Sequence, residues 1–460
     1  MPDGKIQARA VTGRFTRWRW AMVWLTQAVF YGLPWLTLHG RQALLFDLET
    51  RRFYLFGAVL FPQDLIYLTG LLVASALLLF LATTLAGRVW CGFSCPQTVY
   101  TKLFMWIEHR FEGDRLARLR LDASPWTAHK LLRRGGKHLA WGALGLWTGF
   151  TLVGYFTPIR SLAVAVPAGV IGSWGPWELF WTLFYGLATY GNAGFLREKV
   201  CQHMCPYGRF QGSMLDRDTL IVGYDSRRGE PRGARARGSD PAALGLGSCV
   251  DCTLCVQVCP VGIDIRQGLQ AACISCGVCI DACDTVTDKL RAPRGLIRFA
   301  SQRALAGEPN TSTSALRHLM RPRVLVYGGL LGLTVAALVL GLIEHPTLRM
   351  NALRDRGVLA RQVEDGRVEN LYRLQLMNAS ETVRQVHLQV SGPQGLSLLA
   401  PEVIELAPAD TRTVPVTVRL DAASAQALAG RIVPIRFGVS ERSAAGNDDA
   451  EAASTFVVSR

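Results

Sequence analysis

Residues 249–260 read CVDCTLCVQVCP and residues 273–284 read CISCGVCIDACD, the same C-x2-C-x2-C-x3-C run twice. The two-residue gaps let one tight loop present three thiolates to an iron–sulfur cubane, and the fourth must come from elsewhere. In the two-cluster arrangement that uses this spacing, the fourth cysteine of each run crosses to the other cluster. Cys249, Cys252, Cys255 and Cys283 are therefore expected to hold one 4Fe-4S cluster, and Cys273, Cys276, Cys279 and Cys259 the other. A pair of zinc knuckles is the competing reading, but zinc sites rarely repeat three consecutive two-residue-spaced thiolates. Pro260 follows Cys259, whereas Asp284 follows Cys283, and Asp281, Asp284 and Asp288 put negative charge at that end. Such charge favours the oxidised cluster and lowers its expected potential.

Outward from these runs the chain is apolar. Half of its 460 residues are hydrophobic against 18% charged, a balance that points to a membrane class. The net charge of +15 lies beside apolar runs, which suits orientation in a bilayer better than a nucleic-acid surface. Twelve cysteines, none beyond Cys283, are too few for a disulfide scaffold of this length.

Apolar runs at Trp20–Leu38, Leu65–Ala86, His138–Thr157, Pro176–Gly191 and Val324–Ile343 predict about five transmembrane helices. The first follows Lys5, Arg9, Arg14, Arg17 and Arg19 and lacks a small-x-small cleavage site, so it reads as an uncleaved anchor. The stretch Ser161–Ser173, interrupted by Pro167 and glycines, stays open between a loop, a re-entrant segment and part of a longer fourth helix. Basic residues crowd Arg88–Lys137 and Arg197–Arg321, while only Arg160 separates the third and fourth runs. That asymmetry puts the amino terminus and the cysteines in the cytoplasm and the carboxyl terminus on the opposite side, the periplasm of a Gram-negative cell. The Arg- and Gly-rich segment Arg227–Asp240 reads as a solvated linker. Beyond Glu344, alternating segments such as YRLQLMN, VHLQVSG, VPVTVRLD and IVPIRFGV predict an antiparallel β-sandwich.

The other four cysteines form WCGFSCPQ (Cys91, Cys95) after the second run and VCQHMCPY (Cys201, Cys205) after the fourth. A helix pair followed by C-x3-C-P thus occurs twice, as an internal repeat. Proline suits the first position of a helix, so Cys95 and Cys205 are expected at N-caps, where the helix dipole lowers a thiol pKa. Such pairs suit binding of Cu(I), disulfide cycling, or joint capture of one metal centre. His203 and Met204 more simply fill the loop than ligate copper. His109, His129 and His138 read as interfacial, and no run carries histidines spaced for haem b. Glu178 reads as interfacial rather than as a proton relay.

Taken together, the paired C-x3-C-P motifs, the two cysteine runs between the fourth and fifth helices and the terminal β region resemble the cytochrome c oxidase accessory proteins of the CcoG (FixG/RdxA) family, polyferredoxin-like membrane proteins. The resemblance covers nearly the whole chain. It implies a multi-domain, multi-pass protein of the bacterial inner membrane. Residues 1–19 would be a basic cytoplasmic terminus and 20–193 a four-helix transmembrane region with C-x3-C-P at 91–96. A cytoplasmic region, 194–322, would carry C-x3-C-P at 201–206 and a two-cluster ferredoxin-like domain at about 240–292. A helix, 324–343, would lead to a periplasmic immunoglobulin-like domain, 344–460. The resemblance also implies a cupric reductase that makes Cu(I) for assembly of cbb3-type cytochrome c oxidase. Cys91, Cys95, Cys201 and Cys205 would be its catalytic residues, two 4Fe-4S clusters its cofactors and copper its substrate ion. Its partners would be a cytoplasmic electron donor and oxidase assembly factors or a copper chaperone or transporter, with no nucleic acid. Two other readings compete: a quinol dehydrogenase or electron-transfer subunit, and a non-enzymatic oxidase-assembly scaffold.

Overall fold

The computed structural model describes residues 6–38, 40–165, 174–236, 239–308, 319–355, 360–380, 382–441 and 449–459. The chain divides into two compact units, residues 1–45 with 66–338 and residues 46–65 with 339–460. Of the segment between the first two helices, residues 46–65 thus cluster with the β-rich unit and residues 33–45 with the first.

In the first unit the helices are α1 (Arg14–Gly32), α2 (Leu65–Ala86), α3 (Val89–Phe93), α4 (Pro96–Glu112), α5 (Arg115–Ala123), α6 (Ala128–Val153), α7 (Ile159–Ala165), α8 (Pro176–Gly191) and α9 (Pro206–Met214). A last long helix is Pro322–Ile343. All five predicted runs are helical, with two shifts. The first starts earlier and ends at Gly32, where Pro34 opens a 3-10 turn, and the third starts ten residues earlier, capped by Thr127. Of the open stretch Ser161–Ser173, residues 161–165 belong to α7, and 166–173 fall outside the described residues. Among the described residues two helices, Pro62–Ala86 and Pro322–Ile343, are long and apolar enough to cross a membrane. Their large side chains face outward, as at Ile66, Leu72, Leu333 and Ile343, which suits lipid and not water. The sixteen residues of α8 fall short of the roughly 20 that a bilayer core asks of an upright helix.

Small residues set how the bundle closes. A Cβ on Gly149 would lie 2.2 Å from the Thr182 carbonyl oxygen, and one on Gly145 2.7 Å from that of Gly186. Helices α6 and α8 therefore meet backbone to backbone. Beside this crossing, Phe104, Ile107, Trp141 and Ala193 form a buried cluster. Buried carboxylates here are paired: Glu108 accepts from Arg118 at 2.9 Å and Arg197 at 3.0 Å, and the Lys137 ammonium lies 2.7 Å from a Glu112 carboxylate oxygen. Removing one member of such a pair strands its partner at a cost of about 3–5 kcal/mol.

The cysteine-rich insert is closed by a hairpin of Ile221–Tyr224 against Ile297–Ala300, so the module is wider than the expected 240–292. The Arg-rich segment is not a free linker. Arg228 donates to the Arg294 carbonyl at 2.8 Å, and Arg235 to those of Gly247 and Ser248 at 2.6 and 3.2 Å, strapping it across the module. The three aspartates are also spoken for. Asp288 pairs with Arg294 at 2.6 Å and Asp284 accepts from the Gly295 amide at 3.3 Å. Asp281 accepts from the amides of Phe15 (3.1 Å) and Thr16 (2.7 Å) and from the Thr16 hydroxyl (2.8 Å). It supplies from another element the cap that Gly13, at the start of α1, cannot provide. These partners compensate much of the negative charge that the sequence placed near Cys283.

The second unit is an antiparallel sandwich. One sheet runs Leu396–Leu399, Thr411–Leu420, Val368–Asn378, Leu348–Arg354, and the other Ile404–Leu406, Arg384–Ser391, Ile432–Glu441, Asp449–Val457. Alternate residues such as Tyr372, Leu374, Leu376, Val418, Phe437 and Phe456 fill its core. The segment 46–65 is fastened to it by Val59 and Phe61 packing with Met377 and Ala409, and by buried Asp64 bonded to Arg349 at 2.7 Å and His345 at 3.2 Å.

Replacing Asp281 with Ala removes all three bonds to the start of α1. A loss of about 1–2 kcal/mol should appear as faster tryptic cleavage after Arg14 and Arg17. Unchanged cleavage would mean that apolar packing alone holds the helix.

Candidate metal centre

The two runs fold so that each quartet mixes cysteines from both. One small chamber is lined by Cys249, Cys252, Cys255 and Cys283 with Tyr224, Leu254 and Ile297. The other is lined by Cys259, Cys273, Cys276 and Cys279 with Val222, Ile274 and Val278, and Cys255 also borders it. Burial pushes the thiols of Cys255 and Cys273 up to about 11 and that of Cys283 up to about 12, and raises Cys259 and Cys279 as well. Neighbouring thiols add to each shift. Thiols in such chambers ionise only against a cation that replaces their protons. The amides of Val261, Gly262 and Ile263 point at Cys259, as suits a thiolate ligand. Among the described residues no three His, Cys, Asp or Glu side chains converge on a single metal ion. Apolar chambers lined by four thiols each suit a cage of several iron atoms.

The C-x3-C-P pairs repeat in structure as in sequence. Cys91 lies in α3 and Cys95 is the N-cap of α4, while Cys201 lies in a π-helical turn, Val200–Met204, and Cys205 is the N-cap of α9. Proline opens both following helices. Cys201 is pushed up to about 12, first by burial and then by the neighbouring Cys95, Cys91 and Cys205 thiols. Cys91 is raised to about 11, again first by burial. At Cys95 the lowered pKa expected from the cap position is not found. The amides of Gln97 and Thr98 do favour the Cys95 thiolate, but burial outweighs them and the shift is upward. His203 and Met204 are exposed, away from the buried thiols. His138 bonds Tyr190 at 2.9 Å inside the aromatic cluster of Trp141 and Phe195.

This thiol site touches the second quartet. A Cβ on Gly92 would stand 2.6 Å from the Ile274 carbonyl oxygen and 2.9 Å from the Cys276 Cα, so only glycine lets α3 lie against that loop. Cys91 packs into the apolar cluster of Val258, Ile274 and Cys276. Three residues outside any motif complete the contact. Gln211, fully buried, donates from Nε2 to the Cys91 Sγ at 3.3 Å. Arg88 donates to the Gly208 carbonyl at 2.6 Å and to that of Ala271, joining both repeats to the cysteine module. Arg19 donates from Nε to the Gly92 carbonyl at 3.1 Å.

Fold and site define a membrane protein built around iron–sulfur chemistry. Residues 196–302 match the family described as a 4Fe-4S dicluster domain, 68–113 a 4Fe-4S binding domain, and 338–459 the IG-like fold at the C-terminal of FixG. The nitrogen fixation protein FixG of Rhizobium meliloti is 37% identical over 91% of this chain and 84% of its own length. Proteins RdxA and RdxB of Cereibacter sphaeroides are 39% and 38% identical over 86% and 88% of the chain and 84% and 85% of their own lengths. The chain belongs to the FixG/CcoG family, as an iron–sulfur electron-transfer protein of the FixG/RdxA type.

In metal-free protein the raised thiols predict slow maleimide labelling of Cys91 and Cys201 at neutral pH. The rate should climb with pH toward about 11 and 12. A plateau below pH 9 would show that the helix termini, and not burial, control them.

Proposed function

We propose that this protein delivers single electrons to Cu(II) at the thiols of Cys91, Cys95, Cys201 and Cys205 and releases Cu(I) for assembly of a cbb3-type cytochrome c oxidase. The observation that carries the reading is the backbone contact of α3 with the Ile274–Cys276 loop, which removes solvent between the second quartet and Cys91. Clusters held by Cys249, Cys252, Cys255 and Cys283, and by Cys259, Cys273, Cys276 and Cys279, would supply one-electron storage. The chain's own part is to gather four soft sulfurs, which favour Cu(I) over Cu(II). Gln211 orients Cys91, and Arg88 holds the two C-x3-C-P segments in register.

In this reading all five long helices span the inner membrane. The cysteine module faces the cytoplasm and a donor on that side, and the immunoglobulin-like unit faces the periplasm and docks assembly factors or a copper carrier. A second reading has one observation in its favour: the segment matching a 4Fe-4S binding domain, 68–113, contains Cys91 and Cys95 and neither quartet. The four C-x3-C-P thiols would then hold a further cluster.

Anaerobic protein reduced by dithionite and freed of excess should reduce Cu(II), read with a Cu(I)-specific chelator. Cys91→Ser and Cys201→Ser should each slow this at least tenfold, with the cluster EPR signal and iron content unchanged. An unchanged rate removes the copper reading, and a loss of iron and sulfide in Cys201→Ser supports the further cluster in its place.

A further inference from the structure

A cavity of about 600 Å³ lies within the first unit, walled by the start of α1, by α4 and by the loops that carry the second quartet. On one side Val258, Pro260, Val261, Ile274 and Val278 form an apolar wall one residue removed from Cys259, Cys273 and Cys279. On the other stand Trp20 and Trp106, their rings edge to face at 6.3 Å. Trp24 stacks on Trp20 at 6.2 Å and is itself 62% exposed, extending the aromatic surface along α1.

Of the polar groups lining this cavity, Thr16, Gln97, Arg118 and Arg197 are bonded to other parts of the unit, and three others lack partners of the expected kind. Arg19 is 5% exposed and has no carboxylate partner among the described residues. The Lys102 Nζ lies 5.2 Å from the Trp20 ring centroid and also has no carboxylate partner among them. Burial, and then the charge of Arg19, bring its pKa down to about 8. The Thr101 hydroxyl is buried without a hydrogen bond. Two desolvated cations and an orphan hydroxyl facing an aromatic-walled space ask for a ligand with a flat apolar ring and oxygen atoms at its edge. The volume falls within the roughly 300–1,000 Å³ of small-molecule sites. A ligand placed against an iron–sulfur quartet makes use of that position only if it exchanges electrons.

We propose that this cavity binds a lipophilic 1,4-quinol, which serves as the electron donor to the second quartet. The inference rests on the electron-transfer reading of the protein and names its donor. The quinol becomes a quinone by losing two electrons and two protons. The electrons would go singly to the iron–sulfur group that Cys259, Cys273, Cys276 and Cys279 would hold, the first passing on to the group that Cys249, Cys252, Cys255 and Cys283 would hold before the second arrives, and the protons go to water where exposed His109 lines the cavity. Lys102, Arg19 and Thr101 face the ring oxygens, and the tail runs out past Trp24. The same two cations favour the more negative, reduced state of the group beside them, raising its potential in the direction that a quinol donor needs.

The test uses full-length, detergent-solubilised, cluster-loaded protein under anaerobic conditions. Decylubiquinone should quench tryptophan fluorescence saturably, and decylubiquinol should bleach the visible iron–sulfur absorbance. Thr101→Phe, which fills the cavity, and Lys102→Met, which removes the cation at little change in size, should each weaken quinone binding at least tenfold. Iron content and the dithionite-reduced EPR signal report whether each variant is folded and loaded. Absent or non-saturable quenching, binding unchanged in both loaded variants, or bleaching by NADH or reduced flavin mononucleotide but not by the quinol would overturn the assignment. Dithionite-driven copper reduction reads the copper proposal separately, so its failure beside intact quinol oxidation leaves the cavity assignment standing.

Discussion

At residue 92 there is no room for a methyl group. That single exclusion brings the helix of Cys91 into backbone contact with the loop of Cys276, and the rest of the first unit is arranged to keep it there. Arg88 ties the end of α2 to both the second repeat and the cysteine module. Arg19 holds the Gly92 carbonyl from the other side, and Asp281 fixes the start of α1 to the helix Val278–Leu290 of the cysteine module. Each bond is modest alone. Together they make the module and the bundle a single body, so that twelve thiols otherwise spread over nearly two hundred residues lie in adjoining groups.

The electrostatics of those groups follow from desolvation. Every resolved cysteine shift is upward, and burial is its largest cause. A protein that uses thiolates as nucleophiles does the opposite, placing them beside cations or helix ends in water. Here the thiols stay protonated until a metal displaces the proton, which couples loading to folding. Other buried charge is paired, as at Glu108 with Arg118 and Arg197, while Arg19 and Lys102 stand in the cavity beside the second quartet. Buried cations without acids are costly to keep, and their position next to an electron-accepting site gives that cost a use.

Much was legible in the sequence because covalent spacing and periodicity are local. The C-x2-C-x2-C-x3-C runs, the C-x3-C-P repeat, the N-cap positions of Cys95 and Cys205, the five helical runs and the period-two strands after Glu344 all depend on near neighbours. The misreadings share another origin. The Cys95 pKa was judged from its helix terminus, a local field, and reversed by burial, which the surrounding fold sets. The Arg-rich segment was judged by composition, and its arginines found carbonyls in the module.

What the sequence alone determined is therefore the set of ligands and the order of elements, since a thiolate quartet or an apolar helix is written in consecutive residues. What only the tertiary structure decided is proximity: that Gly92 seats α3 on the loop of the second quartet, that Gln211 reaches Cys91, and that residues 46–65 join the β unit. Those relations link positions more than a hundred residues apart, such as Cys91 and Gln211, or Thr16 and Asp281. Packing and desolvation act on such pairs through space, and no local pattern records them.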